Sequence, residues 1–361
     1  MANKILGTSV KRREDPELLR GEAKFTADIT LPNMLHMAIL HSDRGHALIQ
    51  SIDTSAAERM PGVVRVITGA DTSSILPLPC IMNPGGAESR FPSYPYGLPG
   101  AQTVLATDRV RYIGEFVAVV VALTRQQAYD ALPAIAVKYE PLSAVVNAEE
   151  ALQPDAPQLH DTVPNNLNQY ISHGNKQATE QAIANAEVVV KQRIRYQRAI
   201  HNPVELRASI GDYNPETEEY TLWTNTQIPH GNRFLLSQLV MGIPYNKLRV
   251  IAPHIGGGFG SKGYLYPDTA LVLFLSKELG QPVKWVDTRR GLARSTVQAR
   301  DQIQYVTIAG TTDGQITALH CTNYANLGAY PATNGPGAPA ILTGCSITGV
   351  YAIAHPFYEV Y

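Results

Sequence analysis

His254-Ile255-Gly256-Gly257-Gly258-Phe259-Gly260-Ser261-Lys262 is the stretch on which the reading of this chain turns. Four glycines in five positions free the backbone to adopt positive φ and to bring main-chain N–H groups against a bulky anionic ligand without side-chain collision. Lys247 to Ala252, before it, reads as a strand. Pro267 to Leu279, after it, reads as an apolar-rich helix that stops at Gly280, and Pro282 to Val286 as the next strand. At such a junction a cofactor cradle and a tight structural turn are both open. Gly258, Gly260 and Gly263 also satisfy GxGxxG, with Asp287 beyond the second strand, so an NAD-dependent dehydrogenase using this GFGSKG loop is an alternative. Against it, Asp287 follows Gly258 by 29 residues, where roughly 20 are expected. No second mononucleotide half is recognisable, and Ser261 rather than glycine precedes Lys262, which excludes a Walker A loop.

Two further segments carry polar groups at useful places. Trp223-Thr224-Asn225-Thr226-Gln227-Ile228-Pro229-His230 ends a strand in polar residues just before a proline. There Gln227 is placed either to hydrogen-bond a ligand or to solvate a turn. In His201-Asn202-Pro203-Val204-Glu205-Leu206-Arg207 an acid and a base two residues apart share one face of an extended segment. An exposed salt bridge is the ordinary outcome; the functional one is a carboxylate, Glu205, kept ionised by Arg207 beside a pocket. No HExxH, nucleophile elbow or spaced histidine cluster supports a hydrolase.

With 361 residues the chain exceeds what one core normally serves, so two domains are expected. A net charge of −1, from 30 Lys+Arg against 31 Asp+Glu, lacks the footprint of a nucleic-acid binder. The opening MANKILGTSVKRRED has no apolar leader core, and the longest apolar run, Phe116 to Leu123, is too short to span a bilayer. A soluble, cytoplasmic protein without a membrane partner is expected. The three cysteines, Cys80, Cys321 and Cys345, are scattered and form no CxxC, so no iron–sulfur or thiolate zinc site assembles locally, and each reads as a small buried hydrophobe.

Along the chain the grammar is α+β. A helix is expected near Thr54 to Met60 with Asp53 as its N-cap, followed by a strand from Val63 to Thr68. Leu76 to Gln102 is rich in Pro and Gly and reads as a long loop. Phe116 to Ala122 (strand), Thr124 to Ala131 (helix) and Ile135 to Tyr139 (strand) repeat the pattern. The polar, Pro- and Asn-rich stretch 147–175 has linker composition, which divides the chain into 1–146 and 176–361. Beyond it, Glu187 to Arg195 and Glu218 to Thr226 read as strands, and Asn232 to Met241 as a helix. Ile303 to Ile308 and Ile316 to Tyr324 form a hairpin about Asp313-Gly314.

In combination, the three segments resemble the large subunits of the xanthine oxidase, aldehyde oxidase and carbon monoxide dehydrogenase family of molybdenum hydroxylases. So do Arg13-Glu14-Asp15, Leu18-Leu19-Arg20-Gly21, Val110-Arg111-Tyr112-Ile113-Gly114-Glu115, Tyr139-Glu140-Pro141-Leu142 and Pro282-Val283-Lys284-Trp285, and the resemblance runs almost end to end. It implies an N-terminal α/β hammerhead domain, then the first molybdopterin-binding domain. The cofactor it implies is molybdenum-molybdopterin in its cytosine dinucleotide form, with iron–sulfur and FAD centres on separate small and medium subunits. By motif, Gln227 would hydrogen-bond an oxygen ligand of molybdenum, and Gly257, Gly258, Phe259 and Gly260 would pack beside the metal centre, with no side chain ligating the metal. Glu205 and Arg207 would support the pocket. The reaction implied is hydroxylation of an aldehyde or N-heteroaromatic carbon with water-derived oxygen. No catalytic residue is assignable in this chain, because the family's general-base glutamate is expected beyond residue 361, with the second cofactor domain. Alone, the chain is therefore expected to be silent and to need its C-terminal complement. A non-catalytic cofactor-binding or assembly module is the other alternative.

Two departures accompany the resemblance. Pro203-Val204-Glu205-Leu206-Arg207 stands where many members read Pro-Met-Glu-Pro-Arg, and His41-Ser42-Asp43-Arg44-Gly45-His46-Ala47 where an Arg-Ser-Pro-like segment and Ala-His-Ala are usual.

Overall fold

A computed structural model describes residues 6–81 and 100–361. Most of the expected Leu76–Gln102 loop falls on 82–99, outside the described residues. The helix Pro267–Leu279 forms as read. Pro267 sits where its missing N–H costs nothing, Asp268 lies in the first turn, and Gly280 closes the helix in the left-handed region at φ +66°. Nine of its thirteen residues are buried, so it is an internal helix laid on a sheet.

That sheet has seven strands, in the order Leu248–Ile251, Glu219–Thr224, Ala208–Asn214, Val283–Val286, Leu35–His41, Phe116–Ala122 and Val63–Thr68. Phe116–Ala122 is buried at every residue, which explains its unbroken apolar run: both of its faces are covered. Leu35, His36 and Met37 pair in parallel with Val283, Lys284 and Trp285, so strands from both sides of 147–175 share one sheet. The largest core cluster joins them too, with Leu35, Met37 and Val121 beside Leu222, Leu271 and Trp285. The two halves are thus welded together rather than strung on a linker. Ile171–Gly174, within the stretch read as linker, is a strand at the edge of a second, five-stranded sheet, paired antiparallel with His355–Val360. Its polar neighbours misled the reading, because an edge strand needs few apolar residues.

Smaller differences have local causes. The helix read at Asn232 starts earlier, at Pro229, and its second half, Leu235–Val240, is π-wound. Thr54 holds the N-cap position of the helix Ser55–Glu58 without a side-chain cap bond, and Asp53, one residue before it, accepts a hydrogen bond from the Ser55 N–H at 3.0 Å. Cys80 and Cys321 are buried, but Cys345 is exposed, contrary to expectation.

The dinucleotide-binding alternative fails on topology. The strands Leu248–Ile251 and Val283–Val286 that flank the glycine loop and its helix are separated by two others, and Ala208–Asn214 runs antiparallel to both of its neighbours. That is not a doubly wound parallel sheet.

Gly211 sets how closely the internal helix approaches. A Cβ there would lie 2.4 Å from the carbonyl oxygen of Val272. Gly211→Ala is expected to cost about 1–3 kcal/mol, because helix backbone rather than a pliable side chain must move. A urea midpoint unchanged from wild type would contradict this close packing.

Candidate functional site

The glycine loop leaves Leu248–Ile251 and reverses twice before reaching its helix. Gly257 and Gly260 have φ of +95° and +88°, and Phe259 between them is also left-handed at +50°. A non-glycine residue there is strained by about 1–2 kcal/mol, and an exposed phenylalanine gains little burial in return. The Phe259 ring is 69 % exposed.

Gln227 is built into the same surface. Its main-chain N–H donates to the Lys262 carbonyl at 2.9 Å, and its side-chain Oε1 accepts from the Gly260 N–H at 3.0 Å. The second bond decides the amide's orientation: Oε1 faces the loop, so Nε2 is presented outward as a donor. Gly258 makes the approach feasible, since a Cβ on it would fall 2.5 Å from Gln227 Oε1.

Beneath the loop lies Glu205. Its Oε2 accepts from the Gly256 N–H at 2.8 Å and from Lys262 Nζ at 2.7 Å, and its own N–H donates to the Gly256 carbonyl at 3.2 Å. Burial holds the Lys262 ammonium below its ordinary pKa, with the Glu205 carboxylate opposing that shift. Glu205 Oε1 and His201 Nδ1 are buried without hydrogen-bond partners.

Arg207 does not serve Glu205. It sits 2.8 Å from Asp268 Oδ1 and 3.7 Å from Asp287 Oδ2, with its guanidinium carbon 3.9 Å from the centre of the Tyr266 ring and 5.1 Å from that of Trp285. Asp268 also accepts from Ser209 Oγ at 2.7 Å. The expectation that Arg207 keeps Glu205 ionised is corrected: Glu205 has Lys262, and Arg207 has two aspartates. Residues 205–207 precede the strand Ala208–Asn214, so the alternation of an extended segment does not apply to them. Asp287, the nominal ribose acid of the dinucleotide alternative, is 1 % exposed and turned to Arg207, out of reach of a ligand. Burial pushes its carboxyl up to about 6, against the pull of Arg207.

Residues 159–361 match the family of the molybdopterin cofactor-binding domain. The chain belongs to the molybdopterin-binding large subunits of the xanthine dehydrogenase family. Residues 20–143 match that family's aldehyde oxidase and xanthine dehydrogenase a/b hammerhead domain. The carbon monoxide dehydrogenase large chain of Afipia carboxidovorans is 36% identical over 93% of this chain and 41% of its own length. The nicotine 6-hydroxylase large subunit of Paenarthrobacter nicotinovorans is 34% identical over 90% of this chain and 38% of its own. Quinoline 2-oxidoreductase from Pseudomonas putida 86 superposes with a TM-score of 0.89 at 33% identity, over 98% of this chain and 44% of that one. The chain thus spans about two fifths of the length of the relatives it matches. The α+β architecture, hammerhead followed by molybdopterin-binding domain, is that of this family. No helix among the described residues is long and apolar enough to cross a membrane.

One feature of this large-subunit fold escaped sequence reasoning. A cavity of about 840 Å³ opens between the two matched domains, lined by Arg111, His160, Gln169, Arg294 and Tyr361, and it does not include the glycine loop. Behind the lining residue Arg111, Glu115, 2 % exposed, accepts hydrogen bonds from the Arg111 N–H and from Tyr330 Oη, the latter across a chain separation of 215 residues. Burial pushes the Glu115 carboxyl up to about 7 from 4.5, with the Tyr330 hydroxyl opposing the shift. Because the folded value is the higher one, the associated stability is complete below pH 4.5 and is lost as pH rises to about 7. The loss is about 3 kcal/mol at most. Glu115→Gln is expected to flatten this part of a stability–pH curve measured by urea unfolding. An unchanged slope between those limits would contradict the assignment. Glu115 is unusual because the fold buries it beside a partner 215 residues away, and no local pattern reveals Tyr330.

Proposed function

We propose that this chain forms the N-terminal, cofactor-cradling half of a molybdenum hydroxylase large subunit. The enzyme hydroxylates an N-heteroaromatic or aldehyde carbon with water-derived oxygen. The observation that carries the reading is Gln227: its amide is oriented by the Gly260 N–H so that a donor points outward beside an open glycine loop. That arrangement suits an oxygen acceptor on a bound group. The glycine backbone suits a large anionic cofactor, since Gly257 and Gly260 adopt angles that side chains resist, a Cβ on Gly256 would lie 2.6 Å from Glu205 Cβ, and one on Gly258 would displace the Gln227 amide. The buried Glu205 Oε1 and His201 Nδ1, which have no hydrogen-bond partner within the protein, are in keeping with a site that a ligand completes.

Gln227, Gly257, Gly258, Phe259 and Gly260 would then contact the cofactor, with Glu205 supporting the loop from below and Arg207 bracing the sheet behind it. When bound, the molybdenum–pterin group supplies two-electron oxidation and oxygen transfer to the substrate carbon. This chain's own residues would orient it: Gln227 would donate to one of its oxygens, and the exposed Phe259 would pack beside it. The cytosine dinucleotide form, the iron–sulfur and FAD subunits, the C-terminal complement that brings the general base, and a cytoplasmic site of action belong to the same proposal. We place the hammerhead over 1–146 and the cofactor domain after it, with Ile171–Gly174 tying the intervening stretch to the second unit. Two of the relatives carry nicotine and quinoline in their names. Both are N-heteroaromatic, which favours that substrate class.

The test is to purify the chain together with the subunits encoded beside it and to supply quinoline, nicotine and benzaldehyde in ¹⁸O-labelled water, with an artificial dye that accepts the two electrons released. The expected product carries one labelled oxygen. Product that takes its oxygen from O₂ rather than from water would overturn the reading.

A further inference from the structure

Lys262 occupies a junction that a cofactor-contacting role for the loop leaves unexplained. Its ammonium, on a side chain 1 % exposed, reaches the Glu205 carboxylate. Through Oε2 that carboxylate holds the N–H of Gly256, the first glycine of the loop. Its carbonyl oxygen, on the other side, accepts from the Gln227 N–H at 2.9 Å and from Thr226 Oγ1 at 3.2 Å. Gln227 in turn accepts from Gly260, near the loop's end. One residue therefore ties the start of the loop, its end and the donor that faces outward.

Four glycines make the loop permissive, and a permissive loop must be held if its N–H groups are to be in place when a ligand arrives. A buried ion pair is an expensive way to add stability, since apolar residues of similar volume serve as well or better. Its value lies in geometry that apolar contacts cannot specify. We propose that Lys262 and Glu205 are positioning residues, a buried pair that fixes the glycine loop and Gln227 in register for the pterin cofactor. This rests on the functional reading above.

The test uses the whole complex carrying Lys262→Met, Glu205→Gln, the double variant or Lys262→Arg. Pterin and molybdenum per polypeptide are measured with the melting temperature. Each neutralising single variant is expected to lose about tenfold or more in pterin content, the scale seen when groups that orient metal-site ligands are removed. The double variant leaves no unpaired charge, so it should melt near wild type yet stay as empty as the single ones. Lys262→Arg, which keeps the cation, should recover most of the loading. Wild-type loading in the double variant or in Lys262→Met would overturn the proposal. A double variant that does not fold would overturn it as well, by making the pair a matter of stability. Wild-type complex free of pterin in every preparation would instead remove the functional reading, and this inference with it.

Discussion

Arg207→Met is expected to destabilise the protein by about 3–5 kcal/mol, a large share of the stability of an ordinary domain. The substitution keeps the length and the apolar contact with Tyr266 and Trp285 but removes the charge that opposes Asp268 and Asp287. All three groups are at most 3 % exposed, so without the guanidinium Asp287, whose carboxyl burial already pushes up to about 6, must stay charged without its counter-ion or take up a proton. The loss should therefore shrink at pH 5 relative to pH 8, as protonation removes the unpaired charge. Urea unfolding at both values checks this. A loss below about 1 kcal/mol, or one independent of pH, would show that the cluster is not what braces the sheet.

Gly258→Ala should have the opposite profile, a small effect on stability and a large one on cofactor content. The three atoms nearest the added Cβ all belong to the end of the Gln227 side chain, at 2.5 Å (Oε1), 2.6 Å (Cδ) and 2.9 Å (Cγ). A flexible side chain can swing away, so unfolding should change by less than about 1 kcal/mol. Swinging away, however, breaks the bond to the Gly260 N–H and releases the outward-facing donor. Pterin content of the complex is expected to fall about tenfold or more. Melting close to wild type together with full pterin content would mean that Gln227 plays no part in holding the cofactor.

The strands and the helix around the glycine loop were legible because each has a strong local signature. Pro267 and Gly280 bracket their helix, and the continuous apolar run at Phe116–Ala122 marks a strand covered on both faces. The loop itself was legible because few uses of the chain need four glycines together. Partnership was not legible. Glu205 and Arg207 lie two apart and invite pairing, yet their partners, Lys262, Asp268 and Asp287, are 57 to 80 residues away and chosen by the topology of the sheet. The same holds for Glu115 and Tyr330, and for the pairing of Leu35 with Val283 that joins the halves across a supposed linker. Ion pairs and strand register are decided by which elements become neighbours, and local spacing carries little of that information.

In this reading the chain is built to hold a molybdenum–pterin group. Metal and pterin analysis tests it most directly, on the chain purified alone and again with the subunits encoded beside it. Molybdenum and pterin in near-equal amounts, present in the co-purified complex and lost in Gly258→Ala, is the predicted result. Bound nicotinamide with neither molybdenum nor pterin in either preparation would contradict the account.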